Sequence, residues 1–171
     1  MWQYINESFK KYPSQQKVLV KLISLRLSVR RDFEGVPRIY CSDVEVKASA
    51  IASSLDIDRR AVLDALDKIV QDEKLAVFFA NITPVPDFGK VSTHLGMGVI
   101  QILPESATKP GIIAGVSRIF SEEGISIRQV LVDDPELSES PKATIVTDGQ
   151  IPSRLLSEIR KIPGVQAVLL L

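Results

Sequence analysis

The sequence predicts an α+β chain of two domains: a mostly helical N-terminal one, and a C-terminal one in which two helices alternate with four strands. Two changes of pattern predict it. Up to about residue 82 apolar residues recur at helical spacing, as in Val18, Leu19, Leu22, Ile23 and Leu25. From residue 97 onward short apolar runs with strand character alternate with helical stretches in the order β-α-β-β-α-β. Between them Asn81-Ile-Thr-Pro-Val-Pro-Asp-Phe-Gly-Lys90 carries two prolines and a glycine. The reading is therefore a domain over residues 1–82, a linker over 83–96 and a second domain over 97–171.

In the first domain Ser14, after Pro13, is placed to cap the first helix. A break at Asp32-Phe-Glu-Gly-Val-Pro37 leads to a short strand over 38–41. Helices follow over 44–55 and 58–73, and Leu75-Ala-Val-Phe-Phe-Ala80 reads as a buried strand. Residues 48–70 have the spacing of two helices joined by a tight turn. Ala52 lets the helices approach, Asp56 sits where the backbone turns left-handed, and Ile57 plugs the core beneath. Asp58 caps the second helix, and Val62, Leu66, Ile69 and Val70 form its buried stripe.

On those residues the segment 14–82 resembles the winged-helix family of transcription regulators, with 75–80 as the wing. The resemblance implies DNA contacts by the second helix, through Arg59 and Arg60 at its start. Asp64 and Asp67 share the exposed side, and Asp64 stands four residues from both Arg60 and Lys68, within pairing reach. Over residues 1–80 thirteen Lys and Arg stand against eleven Asp and Glu, well short of a basic footprint. A domain that contacts protein rather than DNA is the alternative.

Composition narrows the function further. Twenty-one basic residues balance 21 acidic ones, so no bulk field favours nucleic acid or membrane. The single Cys41 excludes an internal disulfide, and the single His94 with no cysteine cluster argues against a transition-metal site. No metal or cofactor is expected. The N-terminus lacks the apolar core of a signal peptide, and the run KVLVKLISLRL is interrupted by Lys21 and Arg26, so a cytoplasmic protein is expected. Nucleophile elbow, phosphate loop and dinucleotide fingerprint are all missing, so an enzyme is not expected.

The second domain reads as strand 97–103, helix 110–122, strands 125–132 and 142–147, helix 151–160 and strand 165–170. Gly124 stands where a helix end needs a left-handed residue, Pro152 suits the first turn of the second helix, and Pro163-Gly164 ends it. The order is the ferredoxin-like split βαβ arrangement, an antiparallel sheet with both helices on one face. Asp133-Asp-Pro-Glu-Leu-Ser-Glu-Ser-Pro141 reads as a solvated loop between strands.

The stretch Thr108-Lys-Pro-Gly-Ile-Ile-Ala-Gly-Val116 places a Pro-Gly pair where a strand gives way to a helix. Pro110 has a fixed φ, and Gly111 lets a ligand approach the main chain. The free amides of Gly111, Ile112 and Ile113 then face a carboxylate with the helix dipole behind them. With Glu122-Glu-Gly-Ile-Ser-Ile127, this stretch resembles the ACT domain, the small-molecule regulatory module of amino-acid metabolism. The match spans 97–171 and brings to mind prokaryotic and archaeal regulators of amino-acid metabolism.

That resemblance implies an amino acid or similar carboxylate bound at the interface of a homodimer or larger homo-oligomer. The contacts would come from Thr108, Lys109, Pro110, Gly111, Ile112, Ile113, Ser126 and Ile127. Two departures affect the ligand's identity. Thr108 stands where an amide side chain is frequent in the family, and Ser126 where Asn is frequent, and neither hydroxyl reaches as far. The functional expectation is a ligand-sensing transcriptional regulator. The alternative is a regulatory subunit that docks on a biosynthetic enzyme.

Overall fold

The computed structural model describes residues 2–171, which divide into two compact units, 2–85 and 86–171. In the first unit the helices α1 (Trp2–Phe9) and α2 (Pro13–Ser24) precede the strands β1 (Ser28–Arg31), β2 (Pro37–Cys41) and β3 (Val44–Val46). The helices α3 (Ala48–Leu55), α4 (Arg59–Gln71) and α5 (Glu73–Ala80) follow. The strands form an antiparallel meander in which Ile39 pairs with Val29 on one side and Val46 on the other. The core gathers Ile5, Phe9, Val18, Leu19, Leu22, Ile39, Leu66, Ile69 and Phe79. The turn between α3 and α4 has the anticipated geometry. Asp56 is left-handed at φ 52°, the Ile57 amide donates to the Ala52 carbonyl at 3.1 Å, and the Asp58 carboxylate accepts from the Arg60 amide at 2.7 Å.

Three local readings of this unit are corrected. Pro13 occupies the first helical position, so the cap falls on Tyr12 and no side chain caps α2; Ser14 is inside the helix. Residues 44–46 are a strand, because a turn through Ser42 and Asp43 returns them onto β2 and a Val-x-Val step fits that register. Residues 75–80 are helix, not strand. Leu75 and Phe79 are buried four residues apart, while Val77 between them is 62% exposed. A strand would have put all three on one face. Asp72 starts this helix by accepting from the amides of Lys74 and Leu75 at 3.0 Å each. The sequence reading also passed over α1 and β1.

The second unit contains α6 (Gly89–Ser92) with a 3-10 turn at Thr93–Leu95, then β4 (Gly98–Pro104), α7 (Ile112–Glu122) and β5 (Ile127–Val132). It continues through β6 (Ala143–Thr147), α8 (Arg154–Ile159) and β7 (Val165–Leu170). The sheet runs β5-β6-β4-β7 with every neighbouring pair antiparallel, the ferredoxin-like arrangement. Ile100, Ile102 and Ile145 on one sheet face meet Val116, Phe120, Leu155 and Ile159 of the two long helices. Gly124 and Gly164 have φ of 67° and 96°, conformations that side chains rarely adopt. Pro110 and Pro152 each fall just before a cap residue rather than inside the first turn.

The opposite sheet face is covered as well. Val99 and Val146, paired across β4 and β6, are both 0% exposed. The short helix α6 lies over this face, with Gly89 so close that a Cβ on it would stand 3.0 Å from Thr144 Cγ2. The Gln129 side chain fixes its approach, accepting from the Phe88 amide at 2.9 Å and donating to the Pro86 carbonyl at 2.7 Å. Much of the stretch read as a linker, from residue 86 on, is therefore part of this second unit.

Candidate functional site

Residues 104–111 carry the chain from β4 to α7 and shape a cavity of about 240 Å³. The Lys109 amide donates to the Ser106 carbonyl at 3.1 Å, which turns the chain back. Gly111 then takes φ 94° and ψ −16° as the residue that caps α7, and its carbonyl accepts the first helical bond, from Gly115, at 2.9 Å. No side chain caps this end, and the amides of Ile112, Ile113 and Ala114 have no partner among the described residues. A helix of 11 residues thus presents free donors and the positive end of its dipole to the cavity.

The cavity walls are mostly hydrocarbon. Ile102 of β4, Ala143 of β6, Val132 of β5, Ile112 and Ile113 of α7 and three prolines (104, 110 and 141) supply them. Charge is confined to three lining residues, each with a partner. Lys109 Nζ stands 3.2 Å from the Glu105 carboxylate, and Lys142 Nζ 3.3 Å from that of Asp133. The stem of Lys109 crosses Gly164 so closely that a Cβ there would stand 2.4 Å from Lys109 Cδ.

Five of the anticipated residues, Lys109, Pro110, Gly111, Ile112 and Ile113, line this one cavity. Thr108, Ser126 and Ile127 do not. The Thr108 hydroxyl is hydrogen-bonded to that of Ser106 at 3.1 Å on the exposed side of the turn. Ser126 and Ile127 lie at the other end of the sheet, where Ile127 pairs with Thr147 and Thr147 with Gly98. The cavity sits at the Ile102, Ala143 and Val132 end, about 17 Å away at ~3.4 Å per strand residue. Ser126 is also engaged locally: its carbonyl accepts from the Asp148 amide at 3.1 Å. The Arg128 guanidinium, and after it the Ser126 hydroxyl, hold the Asp148 carboxyl below the usual aspartate range. A single chain does not bring Ser126 to the α7 start.

The sequence reading missed Asp133 and Lys142, which flank the loop treated as solvated. Their place at the cavity follows from the pairing of Val132 with Ala143 and of Ala143 with Ile102, a register that spacing alone does not carry.

In the first unit Arg59 and Arg60 are exposed at the start of α4. Arg59 borders a polar hollow with Arg38, Lys47 and Ser49, next to the start of α3. Asp64 forms no ion pair with Arg60 or Lys68 among the described residues. Lys68 instead turns its ammonium onto the Tyr12 ring, 2.9 Å from the centroid. The aromatic face offers a desolvated cation a partner that an exposed aspartate would not better. Asp64 and Asp67 remain exposed. Of the β1–β2 hairpin, the tip residue Phe33 is 97% exposed. No group of three metal-ligating side chains occurs among the described residues, and no helix there is long and apolar enough to cross a membrane.

Residues 100–164 match the family model for the ACT domain, in general a ligand-binding regulatory domain. Among curated proteins, no relative matches the chain. Of solved structures, the crystal structure of PH0061 is 18% identical, covering 74% of this chain and 79% of that one, with a TM-score of 0.25. That superposition is too loose to bear on either unit.

Proposed function

We propose that the protein is a ligand-sensing regulator of amino-acid metabolism whose second unit binds an amino acid or similar small carboxylate at the start of α7. One observation carries this reading: the free amides of Ile112, Ile113 and Ala114 open onto the largely apolar cavity. Backbone donors at a helix start suit a carboxylate, and the hydrocarbon walls strengthen each bond by excluding water. The site is a binding site and not a catalytic one. Its side-chain polar lining consists of two lysines and one aspartate, with no hydroxyl or thiol, and both lysines are paired with carboxylates.

This reading includes a homodimer or larger homo-oligomer, in which a second copy would supply the Ser126 hydroxyl that one chain does not bring to the cavity. In this reading the first unit is a winged helix-turn-helix domain and the effector sets its affinity for an operator. The left-handed Asp56, the Asp58 cap and the exposed Arg59 and Arg60 support it. With 75–80 helical, the hairpin β1–β2 takes the place of the wing. A second reading, a regulatory subunit docked on a biosynthetic enzyme, is favoured by Asp64 and Asp67, whose exposed carboxylates would meet phosphates.

Two measurements test the proposal. Calorimetry of the full chain against the twenty amino acids should find at least one ligand; silence throughout would remove the sensor. Gel shift on the DNA upstream of the protein's own gene, with and without that ligand, should show a ligand-dependent complex. Its absence, with ligand binding intact, would leave the docking subunit.

A further inference from the structure

The near balance of charge in the first unit conceals a segregation. Residues 10–31 hold seven Lys and Arg and no Asp or Glu, whereas residues 32–80 hold six against ten. The basic stretch contains the whole of α2, and Lys10, Lys11, Lys17 and Lys21 form no ion pair among the described residues. Unpaired charges of one sign gathered in one region attract a partner of the other sign.

The same helix carries a bare groove. One stripe of α2, with Val18, Leu19 and Leu22, is buried in the core. Another stripe, with Pro13, Lys17, Val20, Lys21 and Ser24, runs from the first residue of the helix to the last. Together with Leu55 at the end of α3, it lines a groove of about 400 Å³. The apolar part of the lining is Pro13, Val20 and Leu55, and Val20 is 38% exposed. Lys17 and Lys21 stand about one helical turn apart along it.

We infer that this groove docks an acidic amphipathic helix of a partner protein, with apolar residues laid on Pro13, Val20 and Leu55 and carboxylates against Lys17 and Lys21. At ~1.5 Å per residue α2 is about 18 Å long, room for about three turns of a partner helix anchored at i, i+3, i+4 and i+7. Three other occupants fit less well. A DNA backbone would satisfy the lysines but brings no hydrocarbon to Val20 and Leu55. A second copy joined groove to groove would set Lys17 and Lys21 against their like. A bilayer takes the broad apolar face of a helix, and α2 has buried that face in its own core. Docking here requires neither an effector at α7 nor DNA at the start of α4.

The test is fluorescence anisotropy on the full chain with a labelled peptide that carries leucines at i, i+3, i+4 and i+7 and glutamates on both flanks. This peptide should bind, more weakly as salt rises. A scrambled peptide of the same composition, whose leucines share no face, should bind roughly tenfold more weakly or worse, as should one with lysines in place of the glutamates. Lys17→Gln with Lys21→Gln should weaken the acidic peptide roughly two- to 30-fold and flatten its salt dependence, with the melting temperature unchanged. Val20→Asn should weaken it with the salt dependence intact. If the acidic peptide does not bind, if the scrambled one binds equally, or if the lysine pair is replaced without effect, the groove does not dock such a helix. Duplex DNA or phosphatidylserine vesicles that bind the full chain, and lose that binding in the lysine variant while the peptide does not, would assign the basic stretch to nucleic acid or membrane and overturn the docking site. Dissociation of an oligomer by the same variant, seen in light scattering, would assign the groove to a second copy.

Discussion

Replacing Gly111 with alanine isolates the backbone geometry on which the effector site depends. Gly111 has φ 94°, and a Cβ placed on it meets nothing within 4 Å. The substitution therefore costs backbone strain and no clash, about 1–2 kcal/mol for an L-residue in the left-handed region. The unit it belongs to, residues 86–171, is in the size range where 1 kcal/mol moves the midpoint roughly 4–8 °C. Gly111→Ala should thus lower the melting temperature of this unit by roughly 4–16 °C. Gly111→Asn should recover part of the loss, because asparagine tolerates the left-handed conformation better. Scanning calorimetry of the full chain follows both variants, with effector titration run well below the lower midpoint. If alanine melts within 1 °C of glycine (roughly the resolution of the scan), Gly111 is not left-handed and the free amides of the first turn do not face the cavity. The same strain makes Gly111→Val a poor probe of pocket occlusion, since it would perturb the turn before it blocked any ligand.

Removal of the α4 cap by Asp58→Ala should destabilise the first unit by about 1 kcal/mol, read as a lower urea midpoint with unchanged slope. An unchanged midpoint would mean that the cap is not formed in solution. The Arg154 guanidinium beside Glu123 holds that carboxyl below the usual glutamate range. A carboxyl depressed in the folded state adds stability above its unfolded pKa and loses it as pH falls through its folded pKa. Glu123→Gln should therefore flatten the loss of stability on acidification through and below the usual glutamate range; an identical acid limb would show that the pair contributes nothing. If DNA is the partner, replacing Arg59 and Arg60 together with alanine should weaken binding and reduce its salt dependence. An unchanged salt slope would move the start of α4 off the DNA.

The second unit was legible nearly throughout. Its strands are short apolar runs bounded by residues with one local job, such as Gly124 and Gly164, whose positive φ ends a helix and turns the chain. The first unit was legible where the same local chemistry acts, at Asp56 and Asp58, and illegible where tertiary packing decides. Leu75-Ala-Val-Phe-Phe-Ala80 is as apolar as a buried strand, and only the exposure of Val77 and the Asp72 cap reveal its helical period. The site divides in the same way. Gly111 announces itself because glycine beside proline fixes a turn, whereas Asp133 and Lys142 reach the cavity through strand register. Lys68 was misread for a related reason: spacing offers it Asp64, but the fold offers it the ring of Tyr12, a residue of another element.

The clasp of Gln129 on residues 86–88 settles where the second unit can be cut. A fragment that starts at residue 97, where the β pattern begins, would lack α6 and leave Val99 and Val146 facing water. Each valine forfeits about 1.5–3 kcal/mol of burial, a substantial fraction of what holds a domain of this size together. Such a fragment would aggregate or fail to fold, and a silent titration on it would be mistaken for the absence of an effector. The same holds for grafting: a chimera that borrows this unit has to carry the dozen residues that precede the sheet, Pro86 included, because they serve as its second wall.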